Sequence, residues 1–267
     1  MAAQINDILR NVVKEKLARG EVVASMTVRL VRGIEIARIA RTAGFDMLYI
    51  DLEHSAFSLD TTGQICMAAL DAGIAPFVRV PANTPEYIGR VLDAGALGII
   101  APHVRSAEEA CAVVAAAKYP PLGERGNAGT LPQLQFRSFP AAATYAAVND
   151  ATMVIVQCES AEALERMDEI VAVDGVDLVL MGVNDLLADW GIPGQYDDPR
   201  VRDAYARVIA VCRSRGKHVG VGGLASRPDL VAEYVRMGGR YVSTGTDLGF
   251  LLGAATERAK QVQEIKL

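Results

Sequence analysis

Eight short apolar runs, set a few tens of residues apart, limit what this chain can fold into. They are Val22–Met26, Met47–Ile50, Pro76–Val80, Gly98–Ala101, Met153–Gln157, Leu178–Met181, His218–Val221 and Tyr241–Ser243. Most are rich in Val and Ile and uninterrupted by charge, which is how strands buried on both faces of a parallel sheet read. Between them lie segments with helical period: Thr61–Ala72, Pro85–Ala94, Ala107–Lys118, Ala161–Val171, Val201–Arg215 and Pro228–Met237. Each carries an apolar stripe. Several segments end in Ala-Gly or Gly-Gly ("TAGFD", "DAGIA", "DAGAL", "MGGRY"), as a helix does at a left-handed cap before the next strand. Eight strands alternating with helices over 267 residues predict an α/β fold, a (β/α)8 TIM barrel. The barrel is expected to form a single domain over 1–267, with 1–20 as an N-terminal helical extension. A doubly wound open sheet is the structural alternative. Pro120–Asp150 breaks the rhythm, and a long βα insertion of this kind is expected to serve function.

Composition removes several function classes. Apolar residues make up 51% and charged residues 22%, ordinary for a globular protein. A formal net charge of −5 leaves no basic footprint for nucleic acid. No apolar run reaches the length of a membrane span, and the charged, amphipathic start "MAAQINDILRNVVKEKL" does not read as a signal peptide. Cys66, Cys111, Cys158 and Cys212 lack metal-ligand or redox spacing. They are expected to be buried free thiols in a reducing cytoplasm.

In a barrel, reactive groups stand at the C-terminal ends of strands and in the loops that follow. After the second run come Asp51, Glu53 and His54; Arg79 lies in the third; Gln157 and Glu159 close the fifth; Asn184 and Asp185 follow the sixth. This set fits metal-assisted chemistry. Glu159 and Asp185 can give two oxygen ligands to a hard divalent cation, leaving room for water and a bidentate oxo acid. Arg79 suits the carboxylate of that acid, and backbone N–H groups of Gly182–Asp185 could help if a short helix starts there. His54 can then act as general base, oriented by Asp51. Each residue also has a plainer reading. Asp185 could be a helix N-cap, Glu159 could favour the positive end of a helix, Arg79 could hold a structural carboxylate and His54 could be a solvated loop residue.

The segments "GFDMLYIDLEHS", "PFVRVP", "VLDAGALGIIAPHVRSAEEA", "KYPPLGERG", "VQCES", "VDGVDLVLMGVNDLLADWG" and "YVSTGTD" resemble the HpcH/HpaI aldolase family, the metal-dependent class II pyruvate aldolases. The resemblance runs from about Gly20 to the C-terminus. It implies that Glu159 and Asp185 hold the metal (Mg²⁺, Mn²⁺ or Co²⁺), that Arg79 holds the oxo-acid carboxylate, and that His54 and Asp51 are catalytic. It implies that Gln157 lies near the bound oxo acid and that Asp93 is presented to the site of the neighbouring subunit. It further implies a homo-hexamer, a trimer of dimers, with the last helix "FLLGAATERAKQV" exchanged between barrels. The small-molecule partners would be a 2-oxo acid and an aldehyde, with oxaloacetate decarboxylation as a side activity. No strand ends in a lysine, which agrees with a metal route over an imine route.

The chain departs from the family's commoner IDGEH and GPADLS, and "MTVRLVRGIE" carries Arg29 and Arg32 where relatives are more apolar or Ser-rich. Glu53, Arg29 and Arg32 have no assigned role at this level. The rival readings are a citryl- or malyl-thioester lyase on the same barrel and a non-catalytic barrel that binds a sugar acid. "GVGGL" and "STGTD" could also form a phosphate site, or simply tight turns.

Overall fold

The computed structural model describes residues 4–266, and the side chain of Asn6 is not described. Residues 1–3 of the expected N-terminal extension therefore lie outside the described residues. The strands are β1 (Val23–Val28), β2 (Met47–Asp51), β3 (Ala75–Arg79), β4 (Gly98–Ala101), β5 (Met153–Cys158), β6 (Leu178–Gly182), β7 (His218–Gly222) and β8 (Tyr241–Thr246). They pair in sequence order and close into one parallel barrel. All of the expected strands are present at the expected places, and the open sheet is excluded because β1 pairs with β8. The expected helices are present too, except that the stretch Ala161–Val171 is broken at Arg166 into Ala161–Glu165 and Met167–Ala172.

The strands are apolar on both faces for a visible reason. Along β2, Leu48 and Ile50 pack outward under the helices, in the same buried cluster as Val78, Ile99, Val154, Val179 and Val221. Met47 and Tyr49 point inward and fill the barrel with Phe77, Ile100, Ile155, Leu180 and Tyr241. The two-residue period of each strand carries this inward stripe upward. It reaches Asp51 on β2, Arg79 on β3, Gln157 on β5 and Gly182 on β6. Register sets Asp51 beside Arg79 and Gly182 beside Gly222. The polar ends of the stripes thus converge on one mouth.

The opposite end is sealed. Helix Val12–Ala18 buries Val13 and Leu17 against the barrel floor. Asn11 caps that helix by accepting from the N–H groups of Val13 and Lys14, and its amide donates to the carbonyls of Leu97 and Ala151. Pro120–Asp150 belongs to this end. It follows helix Ala107–Ala117 and precedes β5, so it is an αβ connection rather than the expected βα insertion. Its Leu131, Leu134 and Val148 pack with Leu9 and Val13. It contributes nothing to the cavity at the mouth.

Cys66, Cys158 and Cys212 are buried as expected, but Cys111 is exposed on the outer face of helix Ala107–Ala117. Burial pushes the thiols of Cys158 and Cys212 up to about 12. No helix among the described residues is long and apolar enough to cross a membrane.

Candidate active site

A cavity of about 480 Å³ opens at the C-terminal ends of the strands. Arg29, His54, Arg79, Gln157, Gly182, Asn184 and Asp185 line it, with Tyr49, Tyr196 and a set of small hydroxyl residues.

Asp51 is fully buried and sits between a pair of guanidinium groups. Arg79 donates from Nε to Oδ1 (2.9 Å) and from Nη2 to Oδ2 (2.6 Å). Arg29 donates from Nε to the same Oδ2 (2.5 Å). Burial alone would raise the Asp51 carboxyl, but the Arg79 hydrogen bonds and charge, joined by Arg29, hold it below the usual carboxylate range. Burial likewise opposes charge on Arg79, and Asp51 more than restores it, so the guanidinium stays protonated. Arg79 also lies over the Tyr49 ring, 5.4 Å from its centroid. Its Nη1 stands 2.7 Å from Glu53 Oε2, within ion-pair range but off the N–H direction, since that oxygen makes no hydrogen bond among the described residues.

The expected Asp51–His54 pairing takes a different form. Asp51 accepts from the backbone N–H groups of Glu53 (3.0 Å) and His54 (3.3 Å), not from the imidazole. Asp51 is already bound by both arginines, so it fixes the loop rather than the ring. The imidazole is half exposed at the cavity wall, with Glu53 Oε2 3.9 Å from its Nε2.

Glu159 continues the inward stripe of β5 past Gln157. Its Oε1 accepts from Gln157 Nε2 (2.7 Å), and its Oε2 accepts from the backbone N–H of His103 (3.0 Å). Burial raises its carboxyl. The His103 contacts pull the other way, and the nearby charges of Asp185 and Glu53 push it further up, so the net shift is upward. The Glu159 side chain lies across Gly182, where a Cβ would come within 2.5 Å of Glu159 Cγ. Only glycine leaves that path open. Helix Val183–Asp189 starts immediately after, as the Gly182–Asp185 expectation required, and puts Asp185 in its first turn. Asp185 is exposed to the cavity. Asn184 accepts from the Tyr196 hydroxyl (2.7 Å).

His103 is a site residue that strand-end reasoning passed over. Its φ of 56° lies in the left-handed region, which non-glycine residues adopt at a cost. This turns its N–H to Glu159 and sets its ring between two acids, with Nε2 2.8 Å from Glu53 Oε1 and Nδ1 3.2 Å from Glu159 Oε2. The signal was available, because "APH" directly follows the fourth apolar run.

Asp93 does not join this mouth. It ends helix Pro85–Asp93 on the far side of the barrel and accepts from Arg125 Nη2 at 2.7 Å.

Glu159 and Asp185 repel one another across the cavity, and an all-oxygen pair of this kind fits a hard divalent cation. Among the described residues, no group of three or more His, Cys, Asp or Glu gathers at ligand spacing. A cation here would take two carboxylates and complete its shell with water and substrate.

Comparison with known proteins gives the chain a family. The family model described as HpcH/HpaI aldolase/citrate lyase matches residues 32–254. The chain is 39% identical over 261 residues to a 4-hydroxy-4-methyl-2-oxoglutarate aldolase of Hapsidospora irregularis, covering 96% of each chain. It is 34% identical over 254 residues to the 2-keto-3-deoxy-L-rhamnonate aldolase of Escherichia coli K12, covering 95% of this chain and 94% of that one. The crystal structure of an HpcH/HpaI aldolase from Desulfitobacterium hafniense superposes with a TM-score of 0.89 at 33% identity, covering 95% and 97% of the two chains. The chain belongs to the HpcH/HpaI aldolase/citrate lyase family.

Proposed function

We propose that this protein is a carbon–carbon lyase of the aldehyde-lyase class: a metal-dependent aldolase that joins or splits a pyruvate-type 2-oxo acid and an aldehyde or ketone. The observation that carries the reading is the convergence of Arg79, His54, Gln157, Glu159 and Asp185 on one mouth. Similarity to relatives named as aldolases supports it.

Glu159 and Asp185 are the residues that would hold Mg²⁺, Mn²⁺ or Co²⁺. Bound there, the cation supplies Lewis acidity, which withdraws charge from the oxo group and acidifies the neighbouring methyl. Arg79 binds the oxo-acid carboxylate. Asp51 and Glu53 leave it unused N–H donors, and the Tyr49 ring keeps its plane fixed. Gln157 holds Glu159 in place and offers its amide to the oxo acid. Gly182 and Asn184, at the start of helix Val183–Asp189, line the same space and would meet the bound oxo acid. His54, whose ring makes no hydrogen bond among the described residues, takes the proton from the 4-hydroxyl in cleavage and returns it in synthesis. His103 and Glu53 hold the Glu159 side. Oxaloacetate decarboxylation is a side reaction, since loss of CO2 reaches the same enolate.

The assembly is a homo-hexamer, a trimer of dimers, with Asp93 lent to a neighbour's site and the last helix exchanged. Support comes from helix Asp247–Gln263, where Phe250, Leu251 and Leu252 are exposed. Free thiols without disulfides fit a cytoplasmic enzyme. The test is cleavage of a 4-hydroxy-2-oxo acid, with pyruvate release read by lactate dehydrogenase. Activity should vanish on chelation and return with Mg²⁺ or Mn²⁺. Undiminished cleavage after complete chelation would refute the metal route.

A further inference from the structure

Arg29 is the cationic group at the mouth that the proposed reaction does not use. Its backbone is pinned: Arg29 N–H donates to Asp247 Oδ1 (3.0 Å), while Leu30 and Val31 N–H donate to Oδ2 (3.0 and 2.7 Å) of that buried side chain. Its Nε is spent on Asp51 Oδ2. Among the described residues, neither Nη makes a hydrogen bond. Of the five N–H donors of a guanidinium, one is therefore used, and the unused ones sit on a side chain that lines the cavity and is 35% exposed. Arg32, a few residues on, is different: its guanidinium packs 5.5 Å over the Phe57 ring and does not line the cavity.

The position of Arg29 is as informative as its free donors. It stands at the end of β1, among Thr27, Ser243 and Thr246, on the wall formed by β8 and β1. Glu159 and Asp185 follow β5 and β6, on the wall across the barrel. Arg79 and His54 lie between the two walls, on β3 and after β2. A pyruvate moiety held by Arg79 therefore has its reacting partner directed toward His54 and Arg29. Arg29 and Arg79 also donate to the same oxygen of Asp51. Their guanidinium forks are locked on either side of one atom, a spacing for anionic groups only a few carbons apart.

We infer that Arg29 sets specificity for the acceptor half: its unused guanidinium donors bind a carboxylate carried there, apart from the one that Arg79 holds. This rests on the aldolase reading above. In cleavage the C3–C4 bond breaks and the 4-hydroxyl proton goes to His54. The hydroxyl oxygen becomes the acceptor carbonyl, the bond pair stays with C3, and C3 takes up a proton to give the methyl of pyruvate. Arg29 neutralises the acceptor carboxylate beside the carbon that turns planar.

The test uses Mg²⁺-loaded full-length enzyme and a matched pair of substrates. These are 4-hydroxy-2-oxoglutarate and 4-hydroxy-2-oxopentanoate, which differ by a carboxylate against a methyl at C4. A third substrate ends in phosphate instead of carboxylate. The wild type should favour the dicarboxylate by about 10- to 100-fold in kcat/KM, the range for a hydrogen bond to a charged group. In Arg29→Met the ratio should fall to within about twofold of unity, and Arg29→Lys should restore part of it. An unchanged ratio in Arg29→Met, with both substrates losing equally, would mean that Arg29 serves Asp51 alone and would overturn the inference. So would a wild type without preference, or one that prefers the phosphate. Proton exchange into the methyl of pyruvate needs no acceptor and is measured in parallel. If exchange is present, a flat ratio defeats this inference only; if neither exchange nor cleavage occurs, the aldolase reading falls with it.

Discussion

Asp51 ties together groups that the chemistry needs in fixed places. It clamps Arg79 and Arg29, and it holds the loop that carries Glu53 and His54 through their backbone N–H groups. A buried carboxylate between guanidiniums contributes stability only while ionised. Its folded-state value lies below the unfolded one, because Arg79 and Arg29 outweigh burial. Its contribution is therefore complete above the ordinary carboxylate value of about 4 and is lost as pH falls through the lower folded value. Asp51→Asn should be less stable than the wild type by about 3–5 kcal/mol near neutrality, since it leaves Arg79 buried beside a neutral group. That gap should close as pH drops below about 4. Urea unfolding at a series of pH values measures it, and a gap that stays constant down to pH 3 would show that the pair contributes no charge-dependent stability.

At the scale of elements, the strands place the site and the last helix is the element on which the proposed assembly rests. Helix Asp247–Gln263 starts at a firm anchor, with Asp247 buried and Thr246 capping through Gly249. Phe250 approaches Phe45 at 6.0 Å between ring centroids, yet the helix beyond Leu248 is exposed along its length. A run of exposed Leu251 and Leu252 is an interaction surface by composition. If the proposed hexamer forms through this helix, Leu251→Glu with Leu252→Glu should reduce it to smaller species while far-ultraviolet circular dichroism stays near native. Light scattering after size exclusion reads this, and an unchanged mass would remove the helix from the interface.

The elements themselves were largely legible because parallel strands are apolar on both faces and helices are not. The lining of the mouth was legible as far as strand ends reach: Arg79, Gln157 and Glu159 lie on the inward stripes of β3 and β5, and Asp185 comes just past β6 in the first turn of the next helix. What spacing does not express is side-chain choice. Asp51 next to His54 in sequence suggests a carboxylate–imidazole pair, but the arginines arriving from β1 and β3 take the carboxylate first. The place of His103 just past β4 was readable, but the left-handed backbone that turns its ring between the acids is one that no pattern in "APHVR" announces. The placement of Pro120–Asp150 was available from chain direction alone, because a segment after a helix returns to the floor of a barrel.

The whole molecule divides its work between the ends of one barrel. The floor is apolar and closed by helix Val12–Ala18 and by the segment before β5. The mouth gathers charge of both signs: Arg29 and Arg79 against Asp51, Glu53, Glu159 and Asp185. The acids outnumber the arginines there, which leaves a deficit of positive charge beside Glu159 that the proposed divalent cation would fill. The central claim, that these acids hold a metal which makes pyruvate acidic, is tested most directly by deuterium exchange into the methyl of pyruvate followed by NMR. Wild-type enzyme with Mg²⁺ or Mn²⁺ should exchange the methyl protons with no aldehyde present, and chelation or Glu159→Ala should reduce exchange to the uncatalysed rate. Exchange that persists at the wild-type rate in Glu159→Ala, or after complete chelation, would contradict it.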